Sequence, residues 1–166
     1  MADIILNIGS GNRAEQNQLN IDIHPIKDID LIADAHHLPF TDGCANRVEA
    51  HCVLEHLENP YRALIEFRRV LNDGGEIRLT LPNPCEWRRT LGGLRGETYV
   101  EKGCDHKQCW DLAEMCNLLS QLDLQIVKRQ FTERYRRRKH RMDWLLRRVL
   151  PPILFMPHTE YCLKKV

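Results

Sequence analysis

The sequence predicts an α/β fold in which a mostly parallel β-sheet is covered by helices. Three observations support this prediction. Short apolar segments alternate along the chain with longer segments of helical periodicity, the pattern of strands joined by helices. The 166 residues suffice for one sizeable hydrophobic core but not for two. No internal repeat or low-complexity linker divides the chain, so we expect a single domain over residues 1–166.

The predicted strands are short and are bounded by turn-forming residues. Five lie in the first half of the chain and two near its end: Ile4–Ile8, Leu19–Ile23, Ile29–Ala33, Arg47–Val53, Glu76–Leu81, Leu124–Gln130 and Glu160–Lys164. The tetrapeptide Asn72–Gly75 predicts a turn before the fifth strand.

Two segments have the spacing of amphipathic helices. Pro60–Leu71 begins at an Asn–Pro dipeptide, and its apolar residues recur at helical intervals. Trp110–Leu122 carries a similar apolar stripe. Cys116 falls within this stripe, where we expect it to be buried as a small hydrophobic residue.

The composition is typical of a soluble globular protein, with 43% hydrophobic and 28% charged residues. No apolar run approaches the roughly 20 residues that span a bilayer. The N-terminus lacks the basic and then apolar segments of a secretory signal. The seven cysteines are an odd number and are expected to be reduced thiols. We therefore expect a cytoplasmic protein.

Positive charge is concentrated near the C-terminus. Residues 128–148, the basic strip, carry a net charge of +8, which leaves −7 for the rest of a chain whose total is +1. Because apolar residues follow as far as Phe155, residues 128–158 are predicted to form a basic and apolar insertion before the last strand. For residues 134–156 we rank a site cover or dimer interface first, contact with a membrane surface second and nucleic-acid binding third.

A glycine turn follows the first predicted strand. At Gly9, Ser10 and Gly11 the backbone can approach a ligand without an intervening side chain. Asp22 ends the second strand, where a carboxylate can accept hydrogen bonds from two ribose hydroxyls. Residues 9–14 also fit the GxGxxG/A pattern of dinucleotide sites. In those sites, however, the acid comes about 20 residues later, after a helix that receives the pyrophosphate.

The spacing between the turn and the acid is too short for a dinucleotide site. Asp22 comes 13 residues after Gly9, and the segment between Asn12 and Leu19 holds two helical turns at most. A ligand without a pyrophosphate is therefore favoured. One strand later, Asp34 can place a carboxylate against an adenine amino group, with the small Ala35 beside it. Helix capping is the alternative role for such an acid.

Six motifs in this order resemble the class I S-adenosylmethionine-dependent methyltransferases, and in particular their compact bacterial and archaeal members. The resemblance covers residues 4–83, and the motifs are Leu6–Gly11, Asn20–Asp22, Ala33–Ala35 with Leu38–Phe40, His51–Leu57, Arg69–Gly75 and Leu81–Asn83. It implies a Rossmann-like, seven-stranded sheet of order 3-2-1-4-5-7-6, with the last strand antiparallel and helices on both faces, here shortened at the N-terminus.

The resemblance also implies S-adenosyl-L-methionine as cofactor and assigns the residues that contact it. The glycine turn would flank the methionine part, and Asp22, next to Ile23, would bind the ribose hydroxyls. Asp34 and Ala35 would contact the adenine, and Ala50 and His51 would lie near the sulfonium. The full set of implied contact residues is Asn7, Gly9, Ser10, Gly11, Asp22, Ile23, Asp34, Ala35, Ala50 and His51. Two positions depart from the family pattern. Asn7 stands where many relatives have an acid, and Asn12 where a third glycine is common.

Methyl transfer needs a base only when the acceptor is protonated, and histidine titrates near neutrality. His51 and His106 are the predicted catalytic residues, whereas His56 is interpreted as structural or solvated. Cys104, Cys109 and Cys116 lack the paired spacing of a zinc site, so no metal is predicted.

The function predicted from these features is methyl transfer to a small-molecule or lipid-linked acceptor. A degenerate, cofactor-fold binding or scaffold protein and an RNA methyltransferase that uses the basic strip are the alternatives.

Overall fold

A computed structural model of the chain describes residues 3–96, 106–133 and 151–166. The strands are β1 (Ile5–Ile8), β2 (Leu19–Asp22), β3 (Leu31–Ile32), β4 (Ala45–His51), β5 (Leu71–Pro82), β6 (Leu124–Thr132) and β7 (His158–Lys165). The helices are α1 (Pro60–Val70), α2 (Trp87–Leu94), α3 (Leu112–Ser120) and α4 (Pro152–Phe155), and a short 3-10 helix spans Leu54–His56.

The seven strands form one sheet of order β3-β2-β1-β4-β5-β7-β6. β7 runs antiparallel to β5 and to β6, and the pairs from β3 to β5 are parallel. This is the predicted strand order, so the fold class is confirmed. The order reverses between β1 and β4, and ligands of open α/β sheets bind at the carboxyl ends of the strands beside such a reversal.

The sheet has one apolar and one polar face because successive strand residues point in opposite directions. In β4, Val48 and Ala50 are buried in the hydrophobic core, while the buried side chain between them is Glu49. In β5, Ile77 and Leu79 belong to the same core. Helices α1 and α3 complete this core with six buried residues: Ala63, Leu64, Phe67, Val70, Met115 and Leu119.

The polar face is held by hydrogen bonds between strands and, for Glu49 and His51, within β4. The amide of Asn7 donates to Oδ1 of Asn20 at 3.0 Å, which links β1 to β2. Glu49 Oε2 lies 3.1 Å from Nε2 of His51, and this hydrogen bond holds the pKa of the Glu49 carboxyl below its usual value. Arg47 Nε donates to Oε1 of Glu76 at 2.9 Å. Burial of these groups is therefore compensated by partners in the sheet itself.

The connections on the β1 side of the sheet contain no helix. Residues 9–18, 23–30 and 33–44 form turns and bends, with one isolated bridge between Asp34 and His37. The two helical turns allowed by the spacing between Asn12 and Leu19 are absent. At this edge the strands are therefore joined directly, and no helix N-terminus points toward the carboxyl end of β1.

Two local expectations were wrong. Asn72–Gly75 is not a turn before the strand but part of β5. This strand pairs with β4 through Leu71 and Ala45 and again from Glu76 and Arg47 onward. The four residues between these two pairings form an irregular bulge. Cys116 is exposed rather than buried. The buried face of α3 is set by Met115 and Leu119, which are four residues apart, and Cys116 is turned about 100° from Met115 around the helix axis.

Helix α3 begins with a reciprocal cap. The Asp111 carboxylate accepts from the Glu114 amide at 2.9 Å, and the Glu114 carboxylate accepts from the Asp111 amide at 3.0 Å. We expect Asp111→Ala to lower the free energy of unfolding by about 1 kcal/mol, measured by urea denaturation. Asn117→Ala, in the exposed middle of the same helix, is the control and should cost nothing. Equal stabilities of the two variants would contradict the capping role.

Arg69 of α1 fixes the segment that follows β3. Its guanidinium donates to the carbonyls of Leu38 and Phe40 at 3.0 and 2.7 Å and to Glu66 at 2.8 Å. The Glu66 carboxylate also accepts from the Leu38 amide at 2.9 Å. This arrangement ties residues 38–40, which follow Asp34 closely in the chain, to the core helix.

The Glu66 contacts predict a pH dependence of stability. The hydrogen bond from Arg69 lowers the pKa of the Glu66 carboxyl below its usual 4.5. Its stabilising contribution is therefore complete above pH 4.5 and is lost as the pH falls through the lowered pKa. We expect Glu66→Gln to flatten the dependence of the unfolding free energy on pH in the acid range, measured by urea titrations at several pH values. An unchanged slope would contradict this contribution.

Candidate functional site

A cavity of about 630 Å³ lies at the carboxyl ends of β1, β2 and β4. It is lined by residues that follow four strands, together with one residue from the segment before α3: Gly9, Asp22, Ile23, His24, Ala33, Asp34, Ala35, His36, Cys52, Val53, His56, Leu57, Glu58 and Lys107, with Ile8 at its base. A second hollow of about 690 Å³ lies near the start of β1 and contains none of the predicted site residues. The first cavity is the candidate site, since it lies at the strand reversal.

The glycine turn forms one wall of the cavity. Gly9 and Gly11 have φ angles of +65° and +53°, a backbone conformation that favours glycine. The amide of Ser10 donates to the Ile21 carbonyl at 3.1 Å, which fixes the turn against β2. A Cβ atom on Gly9 would lie 2.5 Å from Cγ2 of Val53. The absence of a side chain at Gly9 therefore allows close approach of the turn and the residues that follow β4.

Ser10 carries an unsatisfied polar group at this turn. The residue is buried, and its hydroxyl oxygen has no hydrogen-bond partner among the residues that the structure describes. Buried hydroxyls are normally hydrogen-bonded, because an unpaired one costs about 1–3 kcal/mol. A polar ligand atom at the turn would satisfy it.

Asp22 connects the glycine turn to the end of β2. Its Oδ2 accepts from the Gly11 amide at 2.9 Å and its Oδ1 from the His24 amide at 2.9 Å. Each oxygen of an ionised carboxylate has a second lone pair, so the side chain can accept further hydrogen bonds in the cavity that it lines. Ile23 is well exposed beside it and offers an apolar surface at the same wall.

Asp34 and Ala35 line the far end of the cavity. Asp34 Oδ1 accepts from the amide of His36 at 2.9 Å and lies 2.6 Å from Nδ1 of the same residue. The hydrogen bond from the His36 amide lowers the pKa of the Asp34 carboxyl. The carboxylate is thus fixed in its charged form and directed by its neighbour, while Ala35, which is buried, leaves room next to it.

Five predicted contact residues do not line the cavity. Ser10 and Gly11 belong to the glycine turn, and the other three, Asn7, Ala50 and His51, lie within the sheet. Ala50 is part of the hydrophobic core, and the Asn7 side chain is bonded to Asn20 on the polar face. His51 lies on the polar face as well, with Nδ1 2.8 Å from Oγ1 of Thr80 and Nε2 3.1 Å from Glu49. The roles assigned to these residues in cofactor binding and catalysis stay predictions, and the structure provides them with partners inside the sheet.

The chain reaches the cavity just after β4 through a strained residue. Cys52 has a φ angle of +56°, which is uncommon for a residue with a side chain. Its amide donates to the Thr80 carbonyl at 2.8 Å. The change of direction at Cys52 places it, Val53 and the following 3-10 helix on the cavity wall. Strained conformations of this kind concentrate at functional sites.

Glu55, His56 and His106 form a cluster that sequence reasoning missed as a unit. Glu55 is 0% exposed, and neither carboxylate oxygen has a hydrogen-bond partner within the described residues. Burial raises the pKa of Glu55 to about 7. The His106 Nε2 atom lies 4.0 Å from Glu55 Oε1, and the two histidine rings are 4.8 Å apart. In the sequence, the adjacent Glu55 and His56 after the fourth strand were the feature that could have indicated this cluster.

The segment before α3 is attached to this cluster. The amides of Lys107 and Gln108 donate to the Glu55 carbonyl at 2.7 and 3.3 Å. Lys107 Nζ lies 3.4 Å from Glu58 at the cavity wall. His106, predicted to be catalytic, is thereby held beside the 3-10 helix and next to the wall residue His56.

The basic strip lies mostly outside the described residues. Residues 134–150 and Cys104 belong to the undescribed part, so the dimer, membrane and nucleic-acid predictions for residues 134–156 stay predictions. Of this region the structure places α4, whose Ile153 carbonyl accepts from the Asn83 side chain at 2.6 Å. Among the described helices, none has the length and apolar character needed to cross a membrane.

Residues 7–79 match the family model described as a methyltransferase domain. The fold is similar to that of an S-adenosylmethionine-dependent methyltransferase from Methanosarcina mazei, with a TM-score of 0.68 and 14% identity over 100% of this chain and 94% of the other. It is also similar to that of one from Archaeoglobus fulgidus, with a TM-score of 0.67 and 19% identity over 99% of this chain and 86% of the other. A curated relative, an uncharacterized 37.1 kDa protein in transposon TN4556 of Streptomyces fradiae, is 34% identical over 74 residues, or 45% of this chain. The match spans about a fifth (21%) of that relative's length.

Proposed function

We propose that this chain is a class I S-adenosylmethionine-dependent methyltransferase that transfers the methyl group of its cofactor to a small-molecule or lipid-linked acceptor. The proposed activity and cofactor are supported by the match of residues 7–79 to the methyltransferase-domain model and by the sheet order. The acceptor is the new element. It rests on one observation, namely that the cavity lined by the predicted nucleoside-binding residues is also lined by three polar side chains without a predicted role in cofactor binding: His56, Glu58 and Lys107.

The residues of the cavity fit the cofactor. The turn at Gly9 has no Cβ to obstruct a ligand, and the buried Ser10 hydroxyl lacks a partner among the described residues. Asp22 lines the cavity with acceptor capacity for a pair of hydroxyls, and Asp34 does so for an amino group. These groups lie in the order in which methionine, ribose and adenine would meet them.

The size of the cavity supports a small acceptor, or the small end of a larger one. A volume of about 630 Å³ is within the usual range for small-molecule sites, and the cofactor takes part of it. A folded macromolecule could insert only a single side chain or base. The excess of acidic charge outside residues 128–148 also disfavours a polyanionic acceptor over the rest of the surface.

The chemistry required of the protein is mostly positioning. S-adenosyl-L-methionine supplies a methyl group on a good leaving group, and displacement of that group requires the acceptor atom in line with the breaking bond. The walls formed by Gly9 and Val53 hold one side of the cavity, and the cluster of His56 and His106 lies on the side where an acceptor would enter. His106 is the proposed proton acceptor for a protonated acceptor atom.

The fate of a labelled methyl group tests the proposal. The protein would be incubated with S-adenosyl-L-methionine labelled on the methyl group and a cell extract, and the label followed into organic-soluble, small aqueous, nuclease-sensitive and protease-sensitive fractions. We expect label in one of the first two fractions. Label confined to the nuclease-sensitive or protease-sensitive fraction would overturn the proposed acceptor class. Asp22→Ala is the matched control and should abolish the signal.

A further inference from the structure

We propose that Glu55, His56 and His106 form a binding site for one divalent transition-metal ion, with zinc as the best fit. Each residue offers one ligand atom, and the three atoms lie within 4.8 Å of one another. Two imidazole nitrogens and one carboxylate oxygen are a donor set that suits zinc and other ions of intermediate softness. This cluster shares no residue with the cysteines whose spacing argued against a zinc site.

The distances allow coordination after small side-chain rotations. The measured pair, Nε2 of His106 and Oε1 of Glu55, is 4.0 Å apart. In a tetrahedral site with bonds of about 2.0–2.2 Å, ligand atoms are separated by about 3.4 Å. The cluster must therefore contract by roughly 0.5–1.5 Å, a movement that rotation about the side-chain torsions of the three residues provides.

Glu55 supplies an independent reason for a cation. Its side chain is 1% exposed, and both carboxylate oxygens have no hydrogen-bond partner among the described residues. Buried carboxylates are normally paired with a cation or coordinate a metal. The Arg89 guanidinium exerts a Coulombic attraction on Glu55, and the Cys52 thiol interacts with its carboxyl weakly, but neither forms a hydrogen bond of normal geometry with these oxygens. A bound metal ion would satisfy at least one of them.

The backbone holds the three ligands together. His106 is distant in sequence from the 3-10 helix that contains Glu55 and His56, and the amides of Lys107 and Gln108 bring it there by donating to the Glu55 carbonyl. Main-chain hydrogen bonds of this kind keep the ligands oriented before the metal binds, and such support strengthens metal sites.

The proposed metal lies where it would meet an acceptor. Three protein ligands leave at least one coordination position open, as in catalytic zinc sites, and His56 lines the cavity. An oxygen, nitrogen or sulfur atom of the acceptor could occupy that position. The metal would then make the proton on that atom more acidic, and His106 would act as a ligand and not as the proton acceptor proposed for the metal-free chain. This use of the metal rests on the proposed function, whereas metal binding itself does not.

Zinc binding to the full chain, stripped of metal and without cofactor, tests the site by titration calorimetry. We expect one zinc ion per chain, with affinity reduced on the order of 100-fold in Glu55→Gln and in His106→Ala. His37→Ala, which removes an exposed histidine outside the cluster, should bind zinc unchanged. Absence of binding, or equal binding by all four proteins, would overturn the site. Circular dichroism of each variant establishes that it is folded.

Cobalt as a replacement for zinc distinguishes these ligands from cysteines. We expect visible absorption from a site of nitrogen and oxygen ligands without a near-ultraviolet thiolate band, and its loss in Glu55→Gln, which preserves the shape of the side chain. A thiolate band would overturn the assignment in favour of a cysteine site. Zinc binding without any methyl transfer would count against the proposed function alone, and methyl transfer without zinc binding against the metal site alone.

Discussion

Gly9→Ala should lower the free energy of unfolding by roughly 2–4 kcal/mol and eliminate measurable cofactor binding. Two costs combine at this position. The backbone φ of +65° disfavours any residue with a Cβ atom, which costs about 1–2 kcal/mol. The new Cβ would also lie 2.5 Å from Cγ2 of Val53, so either the turn or the wall after β4 must move. Urea denaturation and calorimetry with S-adenosylhomocysteine measure the two effects.

Two other glycines separate these costs. Gly11 has a similar φ of +53° and Gly43 the same φ of +65°. A Cβ atom added at either position by substitution with Ala would lie no closer than 3.9 Å to the neighbouring groups. Both should show the conformational cost alone. Gly43 lies outside the cavity, so cofactor binding should survive there. If Gly9→Ala is no less stable than Gly43→Ala, the close contact with Val53 does not matter.

Relief of the contact provides a second check. Gly9→Ala should lower the free energy of unfolding by less when it is introduced into the Val53→Ala variant than when it is introduced into the unaltered chain. The difference isolates the steric contribution, because the conformational cost at Gly9 is the same in both comparisons.

The positions of the strands along the chain were predictable because the signals for them are local. Each strand from β1 to β5 is a short apolar segment ended by a turn, and the resemblance to a known family supplied the sheet order. The polar face was not predictable in this way. Glu49 is bonded to His51 of the same strand, and His51 is also bonded to Thr80 of β5. The pairing with Thr80 depends on the register between β4 and β5.

The prediction that Ala50 and His51 both line the cofactor cavity illustrates this limit. Adjacent strand residues point to opposite faces, so both side chains cannot line one cavity while the strand is regular. The residues that do line it are Cys52 and Val53, after the chain has left the strand at a positive φ. A sequence does not reveal the residue at which such a change of direction occurs.

Glu55 was missed for a related reason. A Glu–His pair in a short helix is ordinarily solvated, and only the packing of residues 106–108 against it, about fifty positions later, makes it buried. The pattern of apolar residues carries no signal for this contact. The family motif identified the position but not its environment.

The absence of a helix between β1 and β2 increases the importance of Asp22. In a dinucleotide site, a helix N-terminus provides aligned amide donors and a partial positive charge. Residues 9–18 form only turns and irregular backbone here, so the proposed recognition of a ribose would depend on the Asp22 carboxylate and the few amides of the glycine turn. Asp22 also holds that turn, through the Gly11 amide at 2.9 Å.

Asp22→Ala should weaken binding of S-adenosylhomocysteine by roughly 2–4 kcal/mol, which is about 30- to 1,000-fold. The variant removes the carboxylate that is proposed to accept from the ribose hydroxyls and releases the amides of Gly11 and His24. Asp22→Asn keeps one acceptor oxygen with the same shape and should lose less affinity. Titration calorimetry at a fixed pH measures all three proteins.

Asp30→Ala is the matched control for the loss of a structural carboxylate. Asp30 also binds β2, by accepting from the Asn20 amide at 2.7 Å, but it does not line the cavity. Its replacement should reduce stability without reducing affinity for S-adenosylhomocysteine in the folded protein. If Asp30→Ala and Asp22→Ala weaken binding equally, the effect of Asp22 is transmitted through the β2 backbone and not through contact with the ribose. If only Asp22→Ala does so, the carboxylate acts on the ligand directly.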